Sequence, residues 1–147
     1  MKLAADVMAG SPITMSPATP VTEAINTLLH HRISGAPVVD DDGNLVGMIS
    51  EIDLLNVIVD DGMAFMPVGE LMSRQVVTVD DDTPLVDVAQ AFLSLRLRRL
   101  PVLRGGKMVG QISRRDLLRV IADDDADPRH HRSAQEKLRN AESVGAV

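Results

Sequence analysis

The sequence predicts a mixed α/β fold (α+β in the order of its elements) built from two packed copies of one β-α-β-β-α unit. The main observation is an internal repeat, in which residues 8–55 recur at 72–118, first at an offset of 64 and after one deletion at 63. In each copy a Thr-Pro pair precedes apolar residues at helical spacing, and two short apolar runs then flank a glycine turn. Since one copy alone is marginal for folding, we expect the copies to pack through their sheets as a pseudo-twofold pair.

The elements follow in the same order in both copies. A short apolar helix is predicted at 4–8 and 68–72, and a short strand at 13–15 and 76–79. The longer helix that follows is predicted to have Thr19 or Thr83 as its N-cap and Pro20 or Pro84 at its first helical position.

A hairpin and a final helix complete each copy. The hairpin turns are predicted at 42–44 and 105–106, where glycines can adopt the positive φ that tight turns need. The final helix is predicted to begin near Ser50 and Ser113. The chain thus divides into repeat one (1–62), repeat two (63–122) and a polar tail (123–147), in which Ser133 and Glu136 indicate a short capped helix unless the tail is disordered.

Composition excludes several classes of protein. The chain of 147 residues has no cysteine, which removes disulfides and thiolate metal sites, and no apolar run reaches the length of a membrane span. The N-terminus lacks a signal-peptide pattern, so we expect a cytoplasmic protein. The adjacent histidines at 30–31 and 130–131 point to different sides of a helix, and we expect no metal site and no catalytic residues.

Charge is distributed unevenly along the chain. Residues 1–62 contain two basic and nine acidic residues, whereas residues 96–119 contain eight basic residues and one acidic residue. An acidic protein, with a net charge of −6, that concentrates its basic residues in one segment can hold an anion there. The alternative is a solvated cationic face.

A Ser-x-x-Asp motif occurs in both copies where a strand leads into a helix: Ser50 with Asp53, and Ser113 with Asp116. A helix N-terminus suits a phosphate, and a carboxylate can accept hydrogen bonds from two vicinal hydroxyls, so the motif suits a ribose phosphate. The alternative is that the serine and aspartate only cap the helix.

The repeated strings resemble a tandem pair of CBS (cystathionine beta-synthase) domains, known as a Bateman module. They are HRISGAPVVDDDGNLVGMISEIDLL and LRRLPVLRGGKMVGQISRRDLL, preceded by SPATPVTEA and DDDTPLVDV, and the resemblance covers about residues 1–122. It implies two clefts between the repeats that bind adenosine derivatives such as AMP, ADP, ATP or S-adenosylmethionine.

The resemblance also implies roles for individual residues. Asp53 and Asp116 would hold the ribose, with Ser50 and Ser113 beside them. Thr14 and Thr78 would flank the base, and Arg98 and Arg99 would reach phosphates. The backbone that would read the adenine edge is formed by Ser34, Gly35, Ala36 and Pro37 in repeat one and by Arg98, Arg99, Leu100 and Pro101 in repeat two.

The two sites are not equivalent in charge. Repeat two has Arg98, Arg99, Arg114 and Arg115 near its motifs, whereas repeat one has Ser34, Gly35, Glu51 and Ile52 at the matching positions. Because arginine pairs with phosphate and a carboxylate repels it, we expect the Asp116 site to bind the more highly phosphorylated nucleotide. We expect the Asp53 site to bind weakly or to stay empty.

We therefore expect a regulatory module that binds an adenine nucleotide as its regulatory ligand, requires no cofactor, catalyses no reaction and forms a homodimer, with a regulated protein as a further partner. The main alternative is a ligand-free scaffold for dimerisation or partner docking. The acidic total and the lack of stacking aromatics disfavour a nucleic-acid binder, and the lack of a nucleophile–base pair disfavours an enzyme.

Overall fold

In the computed structural model, which describes residues 1–126, both repeats contain a long helix, a hairpin and a final helical segment in that order. The helices are α1 (Ala4–Val7), α2 (Val21–His31), α3 (Glu51–Leu54), α4 (Asn56–Val59), α5 (Leu85–Leu95) and α6 (Arg114–Ala126). The strands are β1 (Gly35–Val39), β2 (Leu45–Ser50), β3 (Val79–Asp80), β4 (Arg99–Arg104) and β5 (Lys107–Ser113), and two 3₁₀ turns lie at Asp61–Phe65 and Val68–Glu70. The helix predicted at Ser133 lies outside the described residues.

The two hairpins form as predicted. β1 pairs with β2 in an antiparallel sheet, and β4 pairs with β5 in the same way, with β3 parallel to β4 on the other edge. Gly43, Gly105 and Gly106 adopt φ angles of 85°, 57° and 81°, so each turn uses the backbone freedom that only glycine has at low cost. The two turns meet, because the N–H of Met108 donates to the carbonyl of Gly43 over 3.1 Å.

Each hydrophobic core contains residues from the other half of the chain. Ala4 is buried among Val88, Phe92 and Leu100 of repeat two, while Val68 and Met72 are buried in the core of repeat one. Segments 2–9 and 66–73, called here the opening segments, therefore pack across the pair. The predicted boundary between the repeats, at residues 62 and 63, describes the sequence repeat. The hydrophobic cores cross this boundary, since each contains residues from both sides of it.

Backbone hydrogen bonds fix this exchange in both repeats. The N–H of Val21, at the start of α2, donates to Met66 O over 2.9 Å, and Leu85 at the start of α5 donates to Lys2 O over 2.9 Å. In return Val68 N donates to Thr19 O and Ala4 N to Thr83 O, both over 2.8 Å.

The exchange explains why the predicted helix caps are wrong. Pro20 and Pro84, not the threonines before them, occupy the N-cap positions, and neither helix has a side-chain cap. A helix start needs acceptors for its first N–H groups. Carbonyls of the opening segments supply them at Val21 and Leu85, so Thr19 and Thr83 are not needed as caps.

Several predicted elements are shorter or different. Only Met15 of the segment 13–15 pairs with β1, through a parallel bridge to Val38, because prolines at 12 and 17 limit strand pairing on either side. Of the strand predicted at 76–79 only Val79 lies in a sheet, where it forms β3 together with Asp80. The predicted helix at 68–72 is a 3₁₀ turn at Val68–Glu70. Among residues 1–126, no helix has both the length and the apolar character to cross a membrane.

The helix predicted from Ser50 is divided at Leu55 into α3 and α4, whereas α6 runs unbroken from Arg114. The Asn56 amide donates to Asp53 O over 2.9 Å and so competes for a carbonyl of the helix ladder.

Candidate functional site

The first candidate site lies where β1 begins and β2 ends. Strand pairing places Gly35 opposite Ser50, and Glu51 N donates to Ser34 O over 3.0 Å. Thr14 is brought beside them because the next residue, Met15, donates its N–H to Pro37 O over 2.9 Å. The structure therefore brings together the residues predicted for this site, which are Thr14, Ser34, Gly35, Ala36, Pro37, Ser50 and Asp53.

The second candidate site repeats this arrangement. Arg99 lies opposite Ser113 in the β4–β5 hairpin. The parallel pairing of Val79 with Val102 brings Thr78 beside Pro101. Leu100 and Pro101 are fully buried and present almost no accessible surface to a ligand in this structure.

Asp53 serves first as part of a capping box. Its Oδ2 accepts hydrogen bonds from Ser50 N and Ser50 Oγ, both over 2.9 Å, and its own N–H donates to Ser50 Oγ over 3.4 Å. Ser50 and Asp53 therefore cap α3, as one interpretation of the motif predicts. Within the described residues the second oxygen, Oδ1, accepts no hydrogen bond, so capping leaves one acceptor of the carboxylate available.

Asp116 is held in a similar way. Its Oδ2 accepts from Ser113 N over 2.8 Å, and its N–H donates to Ser113 Oγ over 3.2 Å. Its Oδ1 accepts from Arg119 Nη1 over 3.0 Å, and only 14% of the Asp116 side chain is exposed. The sequence reasoning missed Arg119, although its position one helical turn after the aspartate indicates such a pair.

Of the four arginines predicted near a phosphate, two donate hydrogen bonds to backbone carbonyls. Arg114 donates to Leu97 O over 2.6 Å and to Arg96 O over 3.1 Å, which ties α6 to the end of α5. Arg99 Nη1 donates to Gly35 O over 3.3 Å and thus reaches from the second candidate site to the first. Arg98 and Arg115 are exposed.

Two other basic residues of segment 96–119 form contacts beside the hairpin turns. Arg104 pairs with Asp81 over 2.7 Å, and Lys107 donates to the Asp42 carbonyl of the other hairpin. The eight basic residues of 96–119 therefore do not form one continuous anion site. Among the described residues, His, Asp and Glu side chains also form no group that could hold a metal ion.

Two apolar grooves lie on the helical faces of the pair. One, of about 310 Å³, lies between α2 and the α3–α4 helices, and the other, of about 580 Å³, lies between α5 and α6. They are related by the internal repeat: Leu29 and Ile58 line the first groove where Leu93 and Ile121 line the second. These side chains are between 59% and 83% exposed, an apolar surface typical of an interaction site.

Comparison with known proteins identifies the family. The profile of the CBS domain matches residues 4–60 and 68–123, so the chain belongs to the CBS domain family and contains a tandem CBS pair.

Relatives of known structure show the same fold. The crystal structure of CBSX2 in complex with AMP is 30% identical and superposes with a TM-score of 0.76 over 84% of this chain and 98% of that one. The CBS domain pair of protein MJ0100 in complex with 5'-methylthioadenosine and S-adenosyl-L-methionine is 28% identical, with a TM-score of 0.69 over 83% and 97% of the two chains.

A curated relative, the CBS domain-containing protein CBSX1 (chloroplastic) of Arabidopsis thaliana, is 33% identical over 135 residues, which cover 72% of this chain and 57% of the relative. This chain spans between 14% and 57% of the length of the curated relatives it matches.

Proposed function

We propose that this chain is a regulatory CBS pair that binds an adenosine-containing nucleotide at the two candidate sites and catalyses no reaction itself. The observation that carries the proposal is the repeated carboxylate geometry. In both repeats an aspartate with one oxygen fixed by a capping serine lies beside the buried start of a hairpin strand. The complexes of CBSX2 with AMP and of MJ0100 with S-adenosyl-L-methionine support the same class of ligand.

The capping box prepares the carboxylate for this role. Hydrogen bonds from Ser50 or Ser113 fix the rotamer of the aspartate before any ligand arrives, so the ordering cost is already met in the free protein. An ionised carboxylate is only an acceptor, and vicinal ribose hydroxyls are donors. Capping and ribose binding are therefore compatible uses of one side chain.

The second site favours the more highly phosphorylated ligand. α6 is a 13-residue helix, whereas α3 has four residues, so the N-terminal dipole that attracts an anion is stronger in repeat two. Arg98 and Arg115 are exposed there, and Arg119 can turn from Asp116 to a phosphate once a ribose hydroxyl takes its place. Repeat one has Glu51 at the position that corresponds to Arg114, and a carboxylate there repels a phosphate.

Ligand binding is tested by thermal unfolding with AMP, ADP, ATP, S-adenosylmethionine and NAD. A ligand at 100 times its dissociation constant adds about 2.7 kcal/mol to the free energy of unfolding, which raises the melting temperature by several degrees. Calorimetry on Asp53→Ala and Asp116→Ala then ranks the sites, with Asp87→Ala, an exposed aspartate of α5, as the control. We expect Asp116→Ala to lose more affinity for ATP than Asp53→Ala. A melting temperature that no adenosine compound changes contradicts the proposal, and equal losses contradict the ranking.

The apolar grooves favour a second candidate function, a scaffold for dimerisation without a ligand. Such grooves suit a second copy of the chain, which would cover apolar residues now exposed on α2 and α5. The two functions are compatible, since a dimer can also bind nucleotide. A stable dimer whose unfolding no adenosine compound affects would leave only the scaffold.

A further inference from the structure

Gly35 offers a backbone carbonyl that the sheet itself does not use. In an antiparallel ladder, alternate residues direct their backbone groups toward the partner strand and away from it. Ser34 O accepts from Glu51 N on the β2 side, whereas Pro37 O accepts from Met15 N on the opposite side. The Gly35 carbonyl therefore points away from β2, on the same side of β1 as the Pro37 carbonyl and close to the bridge with Met15. It is a hydrogen-bond acceptor at the first candidate site.

Arg99 of repeat two occupies this acceptor. Its Nη1 donates to Gly35 O over 3.3 Å, and the bond is partly buried. Positions 35 and 99 correspond in the internal repeat, so the contact joins equivalent points of the two candidate sites. Position 35 makes no equivalent side-chain contact with repeat two, because glycine has no side chain. A larger residue does not fit there, since its Cβ would lie 2.9 Å from Ile49 O.

We propose that Arg99 competes with the ligand for the Gly35 carbonyl and so determines how well the first site accepts an adenine base. The inference rests on the proposed function. The exocyclic amino group of adenine is a hydrogen-bond donor, which suits this carbonyl, whereas hypoxanthine has an oxo group there. An adenosine compound whose amino group approaches the lone pair used by Arg99 must displace the guanidinium before that group can bind. Repeat two thereby controls the base preference of repeat one.

The test measures adenosine and inosine binding by calorimetry in an Asp116→Ala background. This substitution weakens the second site, so the measured binding is that of the first site. Arg99→Ala removes the competitor, and Arg74→Ala removes an exposed arginine outside both candidate sites as the control. Because one hydrogen bond contributes about 0.5–1.5 kcal/mol, we expect Arg99→Ala to bind adenosine about 3- to 10-fold more tightly. The inosine affinity of Arg99→Ala and the adenosine affinity of Arg74→Ala should not change.

The outcomes separate this inference from the proposed function. An unchanged or weaker adenosine affinity in Arg99→Ala overturns the inference alone, and so does an equal gain for inosine, which would indicate general opening of the site. Failure of every variant and of the unmutated chain to bind any adenosine compound overturns both. Arg99→Met, which keeps most of the side-chain stem but has no N–H donor, provides the same comparison if Arg99→Ala unfolds.

Discussion

Asp40 closes the first hairpin turn through three hydrogen bonds to its carboxylate. Its Oδ1 accepts from the backbone N–H groups of Asn44 over 2.9 Å and Asp42 over 3.0 Å, and its Oδ2 accepts from the Asn44 amide over 3.2 Å. The backbone hydrogen bond from Asn44 is the main cause that lowers the pKa of Asp40 below its ordinary value. The turn thus depends on the ionised form of this residue.

The lowered pKa predicts a pH dependence with a definite sign. A carboxyl whose pKa is lower in the folded chain stabilises the fold at neutral pH and loses that contribution as the pH falls below about 4. Asp40→Asn should therefore lose less urea stability between pH 6 and pH 3 than the unmutated chain. Asp41→Asn, an exposed change in the same turn, is the control. Identical pH profiles for the unmutated chain and Asp40→Asn would show that the turn does not sense this charge.

Individual residues whose partners lie a few positions away in the sequence could be predicted. Residues whose partners lie far away in the sequence could not. The turn glycines and the Ser-x-x-Asp pairs act through neighbours at fixed spacing, so the sequence reveals them. Arg99 reaches a carbonyl 64 positions away, and no spacing rule indicates that contact. Arg32 and Arg96 end α2 and α5 in the left-handed conformation, where a glycine would have marked the helix end.

Among the elements, the opening segments hold the two repeats together through contacts at a strand glycine. Met72 of one opening segment lies over Gly47 in β2, and Met8 of the other lies over Gly110 in β5. A Cβ at Gly47 would lie 2.5 Å from Met72 Sδ and 2.8 Å from Ser73 O. Ser73 is itself paired with Met48 by two backbone hydrogen bonds of 2.9 Å, so the segment cannot withdraw without losing them.

Gly47→Ala should therefore destabilise the fold by about 1–3 kcal/mol, the usual cost of overpacking a closed contact. Urea denaturation measures this change. Gly10→Ala is the matched control, because nothing lies within 4 Å of a Cβ at that position. If both variants unfold at the same urea concentration, the opening segment is not packed as tightly as the structure indicates.

The sequence predicted the long helices and the hairpins but not the exchange between repeats. α2, α5 and the two hairpins have periodic apolar residues and local turn signals. The caps and short strands depend on which half of the chain supplies the neighbouring backbone, as the bond from Val21 to Met66 shows. In a duplicated sequence both halves offer the same partners, so spacing alone could not distinguish packing within a repeat from packing across the pair.

For the whole molecule, the exchange makes the pair the unit that folds. Each core needs apolar residues from both halves, so neither repeat can complete its core alone. Each groove adjoins a candidate site, because Glu51, next to Ser50, lines the first groove and Arg114, next to Ser113, lines the second. Leu29 and Leu93 line the grooves from the long helices α2 and α5, so a substitution there leaves the predicted site residues unchanged.

The proposed homodimer can therefore be tested by substitutions on α2 and α5, which contain none of the predicted nucleotide-site residues. Leu29 on α2 and Leu93 on α5 are 72% and 80% exposed and line the two grooves. If a second copy covers them, Leu29→Glu or Leu93→Glu would bury an unpaired carboxylate at the interface and weaken the dimer at least about 100-fold. Asn26→Asp and Gln90→Glu add a negative charge to the same helices at exposed positions outside the groove linings, and they should remain dimeric in light scattering after gel filtration. A monomeric unmutated chain at tens of micromolar, or glutamate variants that stay dimeric, would exclude the grooves as the dimer interface.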